Sequence, residues 1–193
     1  MRWTLVGAVA VFGLVVGVTM FGTSMTSHAQ GTSTAKGLSP IERGFEIAPV
    51  PLNLDGLNPS LVGLGSYIVN AHGGCNDCHT APPYAEGGDP FLGQPEVINA
   101  AGYLAGGTPF GPFTSRNLTP RAPNRLPANL TLAQFMEVMR HGTDLKNGHP
   151  QISPLLQVMP WPVYGKMSDK DLQAIYEFLR AIPCVGSAAR CGG

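Results

Sequence analysis

One pentapeptide constrains this chain more than anything else in it: Cys75-Asn76-Asp77-Cys78-His79. Two thiols three residues apart at a helix end can each form a thioether with one vinyl group of a haem. The histidine that follows then lies under the iron and offers an imidazole nitrogen. Cys-x-x-Cys-His is accordingly the attachment signal for c-type haem. Two other chemistries use a Cys-x-x-Cys pair. A thioredoxin-like dithiol needs a βαβ context, and no such alternation surrounds residue 75. A zinc site needs a second compact Cys/His pair, whereas the remaining cysteines, Cys184 and Cys191, stand seven apart. The motif occurs once, so the expectation is one covalent haem c.

The N-terminus supplies a compartment. Arg2 is the only charge before Lys36, an apolar run extends from Trp3 to Phe21, and Ser27-His28-Ala29 forms a small-x-small site. Residues 1–29 therefore read as a signal peptide cleaved after Ala29. The apolar run is longer than most signal cores, so an uncleaved membrane anchor is the alternative, and it would add membrane association. Either route places the body of the protein in the periplasm. In an oxidising compartment Cys184 and Cys191 are expected to pair. With charged residues at 12% and a formal net charge of zero, no nucleic-acid partner is expected.

The rest of the chain divides into a linker or extended arm over residues 30–57 and a domain over 58–193. Three helices are predicted in the domain. The first covers about Pro59 to His72, with Asn58 as N-cap and Gly73-Gly74 as stop. The second covers about Leu132 to Arg140: Thr131 and Gln134 form a capping box, and Leu132, Phe135, Met136 and Met139 fall on one stripe. The third covers about Asp169 to Ala181, with Ser168 and Asp171 as its box and Leu172, Ile175, Tyr176 and Leu179 as its stripe. Residues 80–130 carry Gly and Pro every few positions, allow a short helix near Glu96–Tyr103, and show no strand pattern.

A haem held through His79 needs further partners. The second ring nitrogen of His79 should donate to a backbone carbonyl, and Pro82 is the candidate acceptor. Met159 is the leading sixth ligand, because Pro154, Pro160 and Pro162 stiffen its apolar loop and a weak, neutral thioether must be positioned rather than attracted. His149, in a loop of its own, is the rival. Met136 and Met139 read as core, Met167 as a staple before the third helix, His141 as a helix-end contact, and His72 as too near the proximal side. Trp161 and Tyr164 follow Met159 closely; one could reach a haem propionate while the other packs on the ring, or both could be ordinary core aromatics. Arg116 could pair with a propionate or remain a solvated surface arginine.

Several segments in this order carry a resemblance: the first helix, Cys75–His79, Tyr103-Leu104-Ala105-Gly106-Gly107, Asn117-Leu118-Thr119-Pro120, Met159-Pro160-Trp161 and Met167-Ser168-Asp169. Over about residues 58–183 the chain resembles monohaem class I cytochrome c domains. It is especially similar to those in cytochrome c subunits of membrane-associated alcohol and gluconate dehydrogenases, although it holds a single haem motif where those subunits are multi-domain. The resemblance implies an all-α, class I cytochrome c fold, with loops wrapping the haem and terminal helices crossing near its edge. It also implies His79 and Met159 as the axial pair. The expected function is one-electron transfer, as a carrier or as the cytochrome subunit of a respiratory dehydrogenase. Its partners would be redox proteins, either a dehydrogenase subunit or a terminal acceptor. The alternative is a haem enzyme of peroxidase or thiosulfate-oxidising type with a displaceable sixth ligand.

Overall fold

Ser39 begins the first element. Its hydroxyl accepts from the Glu42 amide while the Glu42 carboxylate accepts from the Ser39 amide, and Pro40 occupies the first helical position. Helix α1 (Pro40–Glu46) follows. The computed structural model describes residues 37–145 and 153–192. The expected signal segment, residues 30–36 of the arm, and His149 lie outside the described residues. The extended arm expected over 30–57 is corrected for residues 40–46, which are helical. Proline and glycine occur in that stretch, but a capping box outweighs them locally.

Helix α1 packs on α2 (Pro59–Tyr67), and the contact is backbone against backbone: a Cβ on Gly44 would lie 1.8 Å from the Gly63 carbonyl oxygen. Asn58 caps α2 through the Ser60 amide, as its sequence predicts. The helix continues as a π-helical turn over Ile68–His72, with Gly73 N–H donating to the Ile68 carbonyl at 2.7 Å. The wider turn is a local insertion in the helical ladder, of a kind often found beside functional sites. Gly74 then adopts the left-handed conformation (φ 57°) and opens α3 (Cys75–His79).

Residues 80–130 are mostly irregular. They hold 3₁₀ turns at Pro90–Leu92 and Ala100–Gly102, and two antiparallel hairpins: β1 (Pro109–Phe110) with β2 (Phe113–Thr114), and β3 (Pro120–Arg121) with β4 (Leu126–Pro127). These hairpins add a little strand where the sequence shows no alternating pattern. Each strand is two residues long, too short for an alternating pattern to register in the sequence. The short helix expected near residues 96–103 reduces to the second 3₁₀ turn. Helix α4 (Leu132–His141) carries the Thr131/Gln134 capping box and stops at left-handed Gly142. After the four-residue α5 (Trp161–Tyr164) comes α6 (Asp169–Ala181), with the predicted bounds and the Ser168/Asp171 box.

Helix α6 organises the core. Leu172, Ile175, Phe178 and Leu179 are all buried, each contributing roughly 1.5–3 kcal/mol. Its closest approach is to α2, where a Cβ on Gly65 would lie 1.9 Å from the Ala174 carbonyl oxygen. Only glycine allows the helices to cross so tightly. The described chain ends in α7 (Ala188–Cys191), tied back by a Cys184–Cys191 disulfide. The described fold is thus mainly helical with little strand. Among the described residues no helix is long and apolar enough to cross a membrane.

Candidate functional site

The two thiols of α3 and the His79 imidazole share one cavity. Its walls are largely apolar, with Val69 from the π-helical turn, Phe110 and Phe113 from the β1–β2 hairpin, Leu130 and Phe135 around the start of α4, and Leu179 from α6. Met139, Met159 and Met167 also line it. Met139 is buried on the α4 stripe, and Met159 is half-buried in the proline-stiffened loop.

His79 is held through its Nδ1 atom, which donates to the Arg116 carbonyl oxygen at 2.7 Å. A carbonyl can only accept, so the proton sits on Nδ1 and the Nε2 lone pair is left available as a ligand. Burial pushes the imidazole below its ordinary range; the carbonyl bond opposes that shift and the nearby Arg116 charge adds to it. The expected acceptor, Pro82, is corrected: its carbonyl accepts from Asn99 Nδ2 at 2.9 Å. Arg116 is brought in by a stack of three segments. Gly106 N–H donates to the His79 carbonyl at 2.6 Å, Leu104 N–H to Thr80 Oγ1 at 2.9 Å, and Leu118 N–H to the Leu104 carbonyl at 2.8 Å. Gly106 (φ 74°) has to be glycine, because a Cβ there would lie 2.5 Å from both the Arg116 carbonyl carbon and the Ser115 oxygen.

The Arg116 guanidinium forms an ion pair with Asp144, and both residues line the cavity. Side-chain exposures of 22% and 11% rule out the solvated surface arginine. Asp144 also joins the two feet of the Met159 loop. Its amide donates to the Pro154 carbonyl at 2.8 Å, Leu156 N–H donates to the Gly142 carbonyl at 2.7 Å, and Thr143 bridges Leu155. Asp144 carries no signal in the sequence, where a lone carboxylate near a loop belongs to no motif. Phe110 and Phe113 do carry one, as aromatics flanking a Gly111-Pro112 turn.

The two aromatics after Met159 act differently from one another. Tyr164 lines the cavity and donates its hydroxyl to the Gly73 carbonyl at 2.7 Å, joining the Met159 segment to the Gly73-Gly74 stop before the Cys motif. Trp161 donates Nε1 to the Leu156 carbonyl at 3.3 Å and lies against Gly142, where a Cβ would come within 2.3 Å of its ring. It braces the loop rather than facing the cavity.

Burial pushes the Cys75 thiol up to about 12, with the neighbouring Cys78 as the next cause, and burial also raises Cys78. Both stay neutral thiols near pH 7. Cys184 and Cys191 are bonded to each other and cannot complete a zinc site with them. The residues present fit a haem: two thiols and an imidazole with a fixed tautomer stand on one side of an apolar cavity that thioether donors also line.

Known proteins point to the same group. The gluconate 2-dehydrogenase cytochrome c subunit of Pantoea cypripedii is 34% identical over 124 residues, covering 64% of this chain. The alcohol dehydrogenase (quinone) cytochrome c subunit of Gluconacetobacter polyoxogenes is 34% identical over 119 residues, covering 62%. The chain is similar to dehydrogenase cytochrome c subunits. It spans 24% and 21% of the length of those two relatives. The corresponding alcohol dehydrogenase (quinone) subunit of Gluconobacter oxydans is 30% identical over 119 residues, 62% of this chain and 21% of that protein. No family model and no solved structure matches the chain.

Proposed function

We propose that the protein is an exported, monohaem electron-transfer cytochrome of the class I type. Cys75 and Cys78 would hold the haem as thioethers, and His79 and Met159 would ligate its iron. The observation that carries this reading is the shared cavity of Cys75, Cys78, His79 and Met159, together with the Nδ1-protonated imidazole. The tight crossing of α2 and α6 supports the class I arrangement. When bound, the haem supplies a one-electron couple. The chain's own residues do the rest: Arg116 orients the imidazole, the apolar walls exclude water, and the pinned loop presents a soft sulfur atom. A His/Met pair favours the reduced state and leaves no open position. The relatives' names support a place beside a dehydrogenase, so we read the physiological donor as a dehydrogenase subunit in the periplasm.

The test is spectroscopic. The exported protein should retain one haem through denaturation and show a sulfur-to-iron charge-transfer band. Met159→Ala should abolish that band; an unchanged band would move the sixth ligand to Met139 or Met167. Purification from native membranes with identification of co-purifying subunits tests the dehydrogenase partner.

A further inference from the structure

We propose that residues 84–97 form a docking surface for a redox protein whose own contact face is an apolar patch rimmed by Lys and Arg. The proposal rests on the electron-transfer reading and deepens it by naming the kind of partner. Three observations carry it.

The first is charge. Between Arg43 and Arg116 the chain has no Lys or Arg, while Asp77, Glu86, Asp89 and Glu96 all fall there. An otherwise neutral protein thus keeps these cations off one continuous third of its length. Asp77, Glu86 and Glu96 are exposed. The Tyr84 phenol registers the surroundings: burial and the carboxylates of Asp77, Glu96 and Asp89 all raise its pKa.

The second is construction. Ala85 N–H donates to the Val97 carbonyl at 2.8 Å and Val97 N–H to the Gly88 carbonyl at 2.9 Å, while Tyr84 bridges Ile98. The tip is capped as carefully as a helix. Asp89 accepts from the Phe91 amide, and Gln94 accepts from the Asp89 amide, both at 2.9 Å. This built turn holds Phe91 and Leu92 in solvent at 83% and 72% exposure, with Val97 at 50%. One exposed apolar side chain is ordinary, but a cluster fixed outward by a capped turn is not.

The third is position. The Tyr84 hydroxyl donates to Asp77 Oδ1 at 3.3 Å, and Asn76 Nδ2 donates to the Pro83 carbonyl at 3.2 Å. Asp77 and Asn76 are the two residues between the cysteines. A partner seated on Phe91 and Leu92 is therefore beside the thioether side of the site. The carboxylates repel anionic lipid and nucleic acid, and they steer a cationic protein face.

The test uses the full-length, haem-loaded protein, 15N-labelled, titrated with mitochondrial cytochrome c as a Lys-rimmed redox probe. Amide shifts should concentrate at Asp77 and residues 84–97, and binding should weaken as salt rises. Glu96→Lys and Phe91→Ser should each weaken it by about fivefold, while Asp55→Lys, an equal change in net charge outside the surface, should leave it within about twofold. Shifts centred elsewhere, or equal losses for Glu96→Lys and Asp55→Lys, would overturn the proposal. So would sedimentation showing a dimer of this chain that Phe91→Ser dissolves. A protein without covalent haem would defeat the electron-transfer reading instead, a failure read from absorbance before any titration.

Discussion

The His79 ring is anchored to the Arg116 carbonyl, a partner 37 residues further along the chain. The anchor depends on the intervening stretch, which lies against both residues. Gly106 donates its amide to the His79 carbonyl and leaves no room for a side chain beside the Arg116 backbone. Two positions earlier, Leu104 is fully buried in the left-handed region at φ 54° and receives the Leu118 amide on its carbonyl.

Gly106→Ala tests this arrangement. The new Cβ meets the Arg116 backbone at 2.5 Å and the residue sits at φ 74°, so the variant should lose about 2–3 kcal/mol. Because the strain falls on the acceptor of the His79 bond, the haem-loaded variant should also show an altered midpoint potential. Denaturant unfolding and a redox titration check the two effects separately.

Asp144→Asn removes the ion pair with Arg116. The pair is largely shielded from solvent, so the loss should cost of order 1–3 kcal/mol. The oxidised haem carries one more positive charge than the reduced form, so removing a nearby negative charge should raise the midpoint potential. A potential that stays put or falls would contradict this sign.

Glu42 gives a pH dependence. The Ser39 amide, and then the Ser39 hydroxyl, hold its carboxyl below the usual value of 4.5. A lowered folded-state value means that its contribution to α1 is present above the ordinary carboxylate range and is lost as pH falls through the lower folded-state value. The Ser39 amide resonance should titrate with a midpoint below 4.5, and Glu42→Gln should abolish that titration.

The disulfide should matter to stability and not to the site. Replacing Cys184 and Cys191 with serine opens a short loop, worth roughly 2.5 kcal/mol at most. Thiol counting on the native protein should find neither cysteine free, and the double variant should keep its absorbance spectrum while unfolding at lower denaturant.

Helices α4 and α6 are legible in the sequence because a capping box and a 3.6-residue stripe agree at both. Helix α1 is not, because a seven-residue helix is too short to show a stripe among prolines and glycines. The Cys75–His79 motif announces its chemistry through side chains. Arg116 serves His79 through a main-chain carbonyl, which any residue type could supply, so no residue pattern marks it. Pro82 is the nearer acceptor along the chain, and the tertiary stack through Gly106 decides otherwise.

The cavity takes its walls from Ile68 through Leu179, and this sets an order of assembly. A nascent chain stopped after α4 would already carry both thiols and the imidazole, yet it would lack Met159, the Tyr164 hydroxyl that closes onto Gly73, and the α6 wall. Attachment of a haem to the two thiols could therefore precede the pocket, whereas the pocket has to await the end of α6, more than a hundred residues after the Cys motif begins at Cys75.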